Sequence, residues 1–295
     1  MAKSSRALRG RMRSVQNTRK ITRTMELVST SKLKRAQDRV VAARPYAQAL
    51  AEVIGDLVTP ELQARFPLLR KPVSPATGGP KRAAVLLITS NRGLAGGFNA
   101  NLIKEARHRI EELEAQGYQV DIHAVGRKGI GYFKYIGRAL ATQRIDIGDK
   151  PTADHASELV TPLIAEFAAG RLASLDIVHA KFNSPLSTPP TLQRILPVHT
   201  PERPKGGVRP DYILKPGADE ILEQLLPLYV RNLVYRGLVE TAAAEHGARR
   251  TAMKSATDNA GEIYDLLKRT YNRQRQAAIT QEIAEIVGGA AALEG

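Results

Sequence analysis

The sequence predicts an α/β protein in which a long antiparallel two-helix coiled coil, formed by the N- and C-terminal helices, carries an inserted open-sheet α/β domain. Three observations lead there. Small and apolar residues recur at alternating steps of three and four from Leu33 to Leu57, the period of a coiled-coil seam rather than of a globular helix stripe. A second long stretch without strong helix breakers follows Asp219. Between them, apolar runs alternate with helical patterns and glycine-rich turns, as in strands joined by crossover helices. The segments 1–60, 81–210 and 211–295 are therefore read as first helix, insert and second helix, the last pairing with the first.

The first seam is Leu33, Ala36, Val40, Ala43, Ala47, Leu50, Ile54 and Leu57, extended backward through Leu8, Met12, Val15, Thr22 and Met25. One helix over residues ~4 to 57 would be roughly 80 Å long. Pro45 lies inside it, but the apolar period keeps its phase across the proline, so a kink in a continuing helix is expected. The second seam is traced through Leu222, Leu225, Tyr229 and Leu233, then Ala256, Ala260, Ile263 and Leu267, then Ile279, Ile283, Ile286, Ala290 and Leu293.

Within the insert, Lys81–Ser90 holds the run AAVLLI, the pattern of a strand buried on both faces. The turn SNRGLAGG and a helix over Ala100–Gln116 follow. Tyr118–Val125, Leu175–Phe182 and Thr191–Val198 read as further strands and Ala156–Ala169 as a second helix, giving a small, largely parallel, Rossmann-like sheet. Proline and glycine at Pro72–Pro80 and Pro201–Pro210 bracket the insert. A compact insert returns the chain near its departure point, so the long helices run antiparallel; placing Leu57 beside Asp219 pairs Ser4 with about residue 272. The last ~20 residues then lack a partner within the chain and, being small or apolar on most sides, require a foreign surface.

The chain has 295 residues, 44 Lys+Arg against 29 Asp+Glu, a formal charge of +15, and neither Cys nor Trp. Without cysteine, disulfides, zinc fingers, iron–sulfur ligation and thiol catalysis are excluded. The apolar run Ala83–Ile88 is far short of the ~20 residues that cross a bilayer, and basic residues interrupt the start where a secretory signal would need an apolar stretch. Residues 1–44 hold 13 basic and two acidic side chains. Such an arm steers toward an anionic partner: nucleic acid, lipid head groups or an acidic protein surface.

Signals for bond chemistry are weak. The loop with Gly93, Gly96 and Gly97 has the spacing G-x-x-G-G, which matches neither the dinucleotide nor the P-loop pattern. Where a dinucleotide site places an acid for the ribose stand Gly126, Arg127 and Lys128. The six histidines show no metal-ligand spacing and read as surface or incidental residues, and there is no nucleophile-elbow motif. Glu282 and Glu285 occupy helical positions facing solvent. No catalytic residue, cofactor or metal is expected.

Three strings carry a resemblance: ITRTMELVSTSKLKRAQ (Ile21–Gln37), ITSNRGLAGGFN (Ile88–Asn99), and AMKSATDNA with YNRQRQAAITQEIAEIVGGAAAL (within Ala252–Leu293). Together they closely resemble the gamma subunits of F-type ATP synthases. The resemblance implies a non-catalytic central rotor shaft coupling proton flow to ATP synthesis or hydrolysis. Its implied partners are the alpha and beta subunits, epsilon and the c ring, with no nucleic acid and no membrane span, at the cytoplasmic face of a bacterial inner membrane. It further implies that Met25 lies near an acidic beta loop. Arg275, Gln276, Thr280 and Glu282 would make polar contacts with the alpha–beta collar, and Asp211–Pro216 would lie toward the c ring. The rival from another class is a basic coiled-coil nucleic-acid-binding protein gripping phosphate with residues 3–44, although no aromatics precede Tyr46 and nothing resembles a base-reading module.

Overall fold

The computed structural model describes residues 2–70, 81–199 and 217–293. The punctuation at Pro72–Pro80 and Pro201–Pro210 and the stretch Asp211–Pro216 lie outside the described residues. The elements are α1 (Ala2–Leu57), α2 (Pro60–Arg65), β1 (Lys81–Ile88), α3 (Phe98–Ala115), β2 (Tyr118–Val125), α4 (Arg127–Tyr135), β3 (Thr142–Arg144), α5 (Ala153–Ala168), β4 (Ser174–Ala180), β5 (Pro190–Leu196) and α6 (Ala218–Leu293). Helix α1 continues through Pro45, as the unbroken apolar phase requires. The chain forms two compact units, Thr30–Arg249 and Met1–Ser29 with Arg250–Gly295.

In the larger unit the strand order is β3-β2-β1-β4-β5. All neighbours are parallel except β4 and β5. The AAVLLI strand is central and buried from Ala83 to Ile88, because its alternate side chains feed two separate cores. Ala84, Leu86 and Ile88 join Leu159, Val160 and Leu163 of α5 with Leu50, Ile54 and Leu57 of α1 and Leu222, Leu226 and Val230 of α6. Ala83, Val85 and Leu87 join Leu102, Ala106 and Ile110 of α3 with Leu33, Ala36 and Val40 of α1 and Val239, Ala243 and Ala244 of α6. The two terminal helices thus run in opposite directions past the sheet. Every residue of the predicted seam from Leu33 to Leu57 is buried or half-buried.

Helix α6 is buried almost all round between Val234 and Arg249. Its composition there permits this: a Cβ on Gly237 would stand 2.9 Å from Ile177 Cδ1, so a larger residue would force that buried side chain to shift. Helix α6 also satisfies backbone donors of the sheet. Ala180 N donates to Thr241 Oγ1 at 3.1 Å and Phe182 N to Glu240 Oε2 at 3.3 Å, past the end of the β1–β4 pairing at Val178.

The predicted strands and the two insert helices are present with small shifts at their ends, and β5 is antiparallel. Two elements have no counterpart in the sequence reading. Strand β3 is three residues, TQR, with no apolar alternation; helix α4 contains Gly129 and Gly131, which lower helix propensity. The histidines need a correction: His123, His179 and His246 are buried. His123 Nδ1 sits 3.0 Å from Thr142 Oγ1 and His246 Nε2 3.4 Å from an Asp149 oxygen, partners that sequence spacing does not reveal.

Candidate functional site: the helix pair and its tip

In the smaller unit, the start of α1 and the end of α6 lie side by side in opposite directions. Leu8, Met12 and Val15 are half-buried and Thr22 is buried, facing a line on α6 formed by Met253, Thr257, Ala260, Tyr264, Leu267 and Tyr271. These positions alternate by three and four, a coiled-coil seam. The line corrects the sequence tracing at two points: Ala256 is half-buried and Ile263 is 49% exposed, and Thr257 and Tyr264 occupy the seam instead. An isoleucine looks like the better seam residue by hydropathy alone, but the heptad phase set by Met253 and Ala260 turns it outward.

The pair is pinned by polar contacts. Thr257 Oγ1 lies 2.8 Å from both Thr22 Oγ1 and the Met253 carbonyl, and Thr22 Oγ1 donates to the Arg19 carbonyl at 3.1 Å. The Arg9 guanidinium donates to the Tyr271 hydroxyl and stands 5.4 Å from its ring centre. These contacts fix the register. Counting from Leu57 beside Asp219 pairs Thr22 with residue 254, so the true partner, Thr257, is shifted by most of a turn. The count set Asp219 level with Leu57, whereas Asp219 pairs with Arg65 of α2 at 2.8 Å.

Met25 follows the rung by three residues and is half-buried, its carbonyl accepting from Ser29 Oγ at 2.7 Å. Around it the surface is mixed, with Ile21, Leu27 and Val28 each more than half exposed and Arg23 paired to Glu26 at 3.1 Å. Beyond Tyr271 and Asn272 the environment of α6 changes. Arg275, Gln276, Thr280 and Glu282 are exposed. So are Ile279, Ile283, Ile286 and Val287, at 47%, 55%, 72% and 61%. Met25 and the collar candidates are not brought together: Arg275 lies 18 residues past Thr257 on an uninterrupted helix, about 27 Å of rise.

The glycine loop of the larger unit behaves as a self-bonded turn. The Thr89 hydroxyl donates to the Val125 carbonyl at 2.9 Å and accepts from Gly129 N at 2.9 Å. Arg127 N donates to Asn91 Oδ1 at 3.0 Å, and Lys128 N to the Ser90 carbonyl at 3.2 Å. The backbone donors at the start of α4, the neighbouring helix, are thus consumed by Thr89, Ser90 and Asn91 at the head of the loop rather than left for an anion. Gly126 makes the closure possible: its φ is +93°, and a Cβ there would sit 2.2 Å from the Thr89 carbonyl oxygen.

Beside this loop lies an ionic cluster that the sequence analysis missed, because its members come from distant segments. Asp149 binds Lys32 at 2.5 Å and faces His246, while the Arg39 guanidinium donates to the Asp149 carbonyl at 2.6 Å. Burial holds the His246 imidazole down to about 4, despite the opposing pull of Asp149. Burial likewise raises Glu245, against Arg249 at 2.6 Å. Arg249 in turn donates to the Gly93 carbonyl at 3.2 Å, locking α6 to the glycine loop. Among the described residues no cluster of potential ligands fits a metal ion, and no helix is long and apolar enough to cross a membrane.

A family model described as ATP synthase matches residues 4–293. The ATP synthase gamma chain of Gemmatimonas aurantiaca is 60% identical over 296 residues, covering 100% of both chains. That of Frankia casuarinae is 43% identical, covering 99% of each. Among solved structures, a chain of the Euglena gracilis mitochondrial ATP synthase OSCP/F1/c-ring assembly superposes with a TM-score of 0.68 at 17% identity, covering 99% of this chain and 95% of that one. A chain of the Tetrahymena thermophila mitochondrial ATP synthase central stalk and c ring gives 0.57 at 21% identity, covering 80% of this chain and 99% of that one. The structural likenesses carry the fold; with full-length identity to the curated relatives, they place this chain in the ATP synthase gamma chain family.

Proposed function

We infer that this chain is the central rotor shaft of an F-type ATP synthase, coupling proton flow through a membrane sector to ATP synthesis or hydrolysis on an alpha–beta ring. The observation that carries the reading is 60% identity along the whole length of a gamma chain. The exposed isoleucines at the α6 tip support it, since apolar side chains left in water on an ordered helix call for a sleeve supplied by other subunits. In this reading segments 1–60 and 211–295 form the shaft and 81–210 the inserted domain outside the ring, near epsilon and the c ring. The complex works at the cytoplasmic face of a bacterial inner membrane.

The shaft performs no bond chemistry. Rotation presents a different face to each beta subunit in turn, and unequal contacts shift each nucleotide site among states of different affinity. Met25 meets an acidic beta loop; Arg275, Gln276, Thr280 and Glu282 engage the collar, and the cations of residues 3–44 face acidic surfaces of the ring. The nucleic-acid-binding reading has no support from the comparisons. The test is reconstitution. The purified chain should leave ATP unhydrolysed, and adding it to alpha and beta subunits should sustain turnover that they do not maintain without it. Hydrolysis by the lone chain that survives further purification, or full turnover without it, contradicts the reading.

A further inference from the structure

A cavity of about 600 Å³ opens at the carboxyl ends of β1 and β2, walled by the loop after β3 and by α6. Open α/β sheets bind small molecules in this place, and the volume is within the ordinary range for ligand sites. Its charged lining divides in two. The three carboxylates are already paired with cations outside the lining: Asp146 with Arg144 at 2.6 Å, an arginine it shares with Glu158, Asp149 with Lys32 at 2.5 Å and Glu245 with Arg249 at 2.6 Å. The three lining cations, Arg92, Arg127 and Lys150, are exposed and have no side-chain hydrogen bond or ion pair among the described residues. Arg92 lies near enough to lower the carboxyls of Asp149 and Glu245 through its charge. Because those carboxylates are bonded to other cations, however, the guanidinium and ammonium groups of Arg92, Arg127 and Lys150 keep their donors open to an anion beside an apolar wall that includes Val125, Leu238 and Ala242.

We propose that this cavity binds a phosphate-bearing small molecule of nucleotide size, held through the side chains of Arg92, Arg127 and Lys150. Guanidinium groups suit the forked geometry of a phosphate, and the ammonium adds a mobile point charge. The apolar wall is available to a ring that free phosphate lacks. The mode differs from that of a dinucleotide fold: the backbone donors at the start of α4 are already bonded to Ser90, Asn91 and Thr89, so side chains must do the holding. Absence of a dinucleotide glycine pattern is thus no obstacle. The proposal does not depend on the shaft reading.

The test uses the free full-length chain, with no catalytic subunits to bind nucleotide in its place. ADP, inorganic phosphate and adenosine are titrated separately while thermal unfolding is followed. A ligand that binds only the folded chain raises the midpoint in a saturable way. ADP should raise it, adenosine should not, and inorganic phosphate should do so only at much higher concentration. The double variant Arg127→Gln/Lys150→Gln should weaken ADP binding by about tenfold or more, as expected for lost charge-assisted contacts. Arg13→Gln/Lys34→Gln, which removes two exposed cations of α1, should leave it unchanged. No response to ADP, or a response that the cavity variant leaves intact, overturns the proposal. An equal response to phosphate and ADP overturns the nucleotide size.

Discussion

Helix α6 contains two stretches that lack a one-sided apolar stripe, for opposite reasons. From Val234 to Arg249 nearly every residue is buried, and the sequence there is built from Gly237, Leu238, Val239, the Ala242–Ala244 triplet and Gly247. From Gln281 to Ala290 every residue is exposed, although Ile283, Ile286 and Val287 are as apolar as anything in the core. In the first stretch small residues let strands and loops approach from all sides; the second has large apolar residues and, among the described residues, no element packed against them. All-round burial satisfied within the chain stabilises the fold, whereas apolar surface left open on an ordered helix is burial reserved for association.

The sharpest contrast comes from shortening the second stretch. A chain ending at Val287 keeps Arg275, Gln276, Thr280 and Glu282 and loses Ala290, Leu293, Glu294 and small neighbours. Losing a few apolar contacts should cost the complex roughly 1 to 3 kcal/mol per large residue buried there, so assembly and ATP synthesis should persist at reduced rate and thermal stability. A chain ending at Asn272 loses the collar candidates and the isoleucines together and should lose far more activity. Measuring assembly and ATP synthesis side by side separates the two; an inactive but fully assembled Val287 chain would show that the extreme tip carries torque.

Point substitutions sharpen the same contrast. Leu238 is 3% exposed, and Leu238→Ala should destabilise the free chain by about 2 to 5 kcal/mol in chemical denaturation. Ile283→Ala, at a position 55% exposed, should change it by less than about 0.5 kcal/mol, while weakening association with the alpha–beta ring. Equal effects on the free chain would erase the distinction.

The buried stretch should also make the fold sensitive to acid. His246 titrates near 6.5 when unfolded and at about 4 when folded, so below pH 6.5 the unfolded chain takes up a proton that the folded chain refuses. Its contribution to stability is complete above about 6.5 and falls by up to about 1.4 kcal/mol per pH unit until roughly pH 4. Stability measured between pH 7 and pH 4.5 should slope less steeply in His246→Gln; an unchanged slope would mean that the imidazole is not held neutral.

The smallest effect concerns the half-buried rod surface at Met25. A lysine there would gain a charge-assisted contact with an acidic beta loop, worth about 1 to 3 kcal/mol in the rotary state that buries it. Leaving that state would become slower. Met25→Lys should leave the complex intact and lower protons pumped per ATP hydrolysed, compared in inverted vesicles. Proportional loss of pumping and hydrolysis, or failed assembly, would remove Met25 from the interface.

What sequence periodicity conveyed depended on whether one element or several determined burial. The run AAVLLI identified a strand covered on both faces because no exposed strand tolerates six apolar residues in succession, and Ala83–Ile88 is indeed buried throughout. The seam from Leu33 to Leu57 was legible for the same reason: one face of one helix decides it. Ile263 was placed on the wrong face because several phases are compatible with a stretch containing Ala256, Ala260 and Leu267, and only the Thr22–Thr257 rung selects among them. The cluster of Lys32, Arg39, Asp149, His246 and Arg249 was invisible because three separated segments contribute to it. The polar tip residues are visible as exposed, but the partners proposed for them belong to other chains.

The claim that the tip is covered by partners rather than left in solvent has a direct measurement, made easier because the chain contains no cysteine. A single Ile283→Cys substitution and, as a buried reference, Ala243→Cys are treated with a maleimide in the free chain and in the assembled complex. Labelling at position 283 should be rapid in the free chain and strongly suppressed in the complex, with no labelling at position 243 in either. Labelling at position 283 that is equally fast before and after assembly would contradict it.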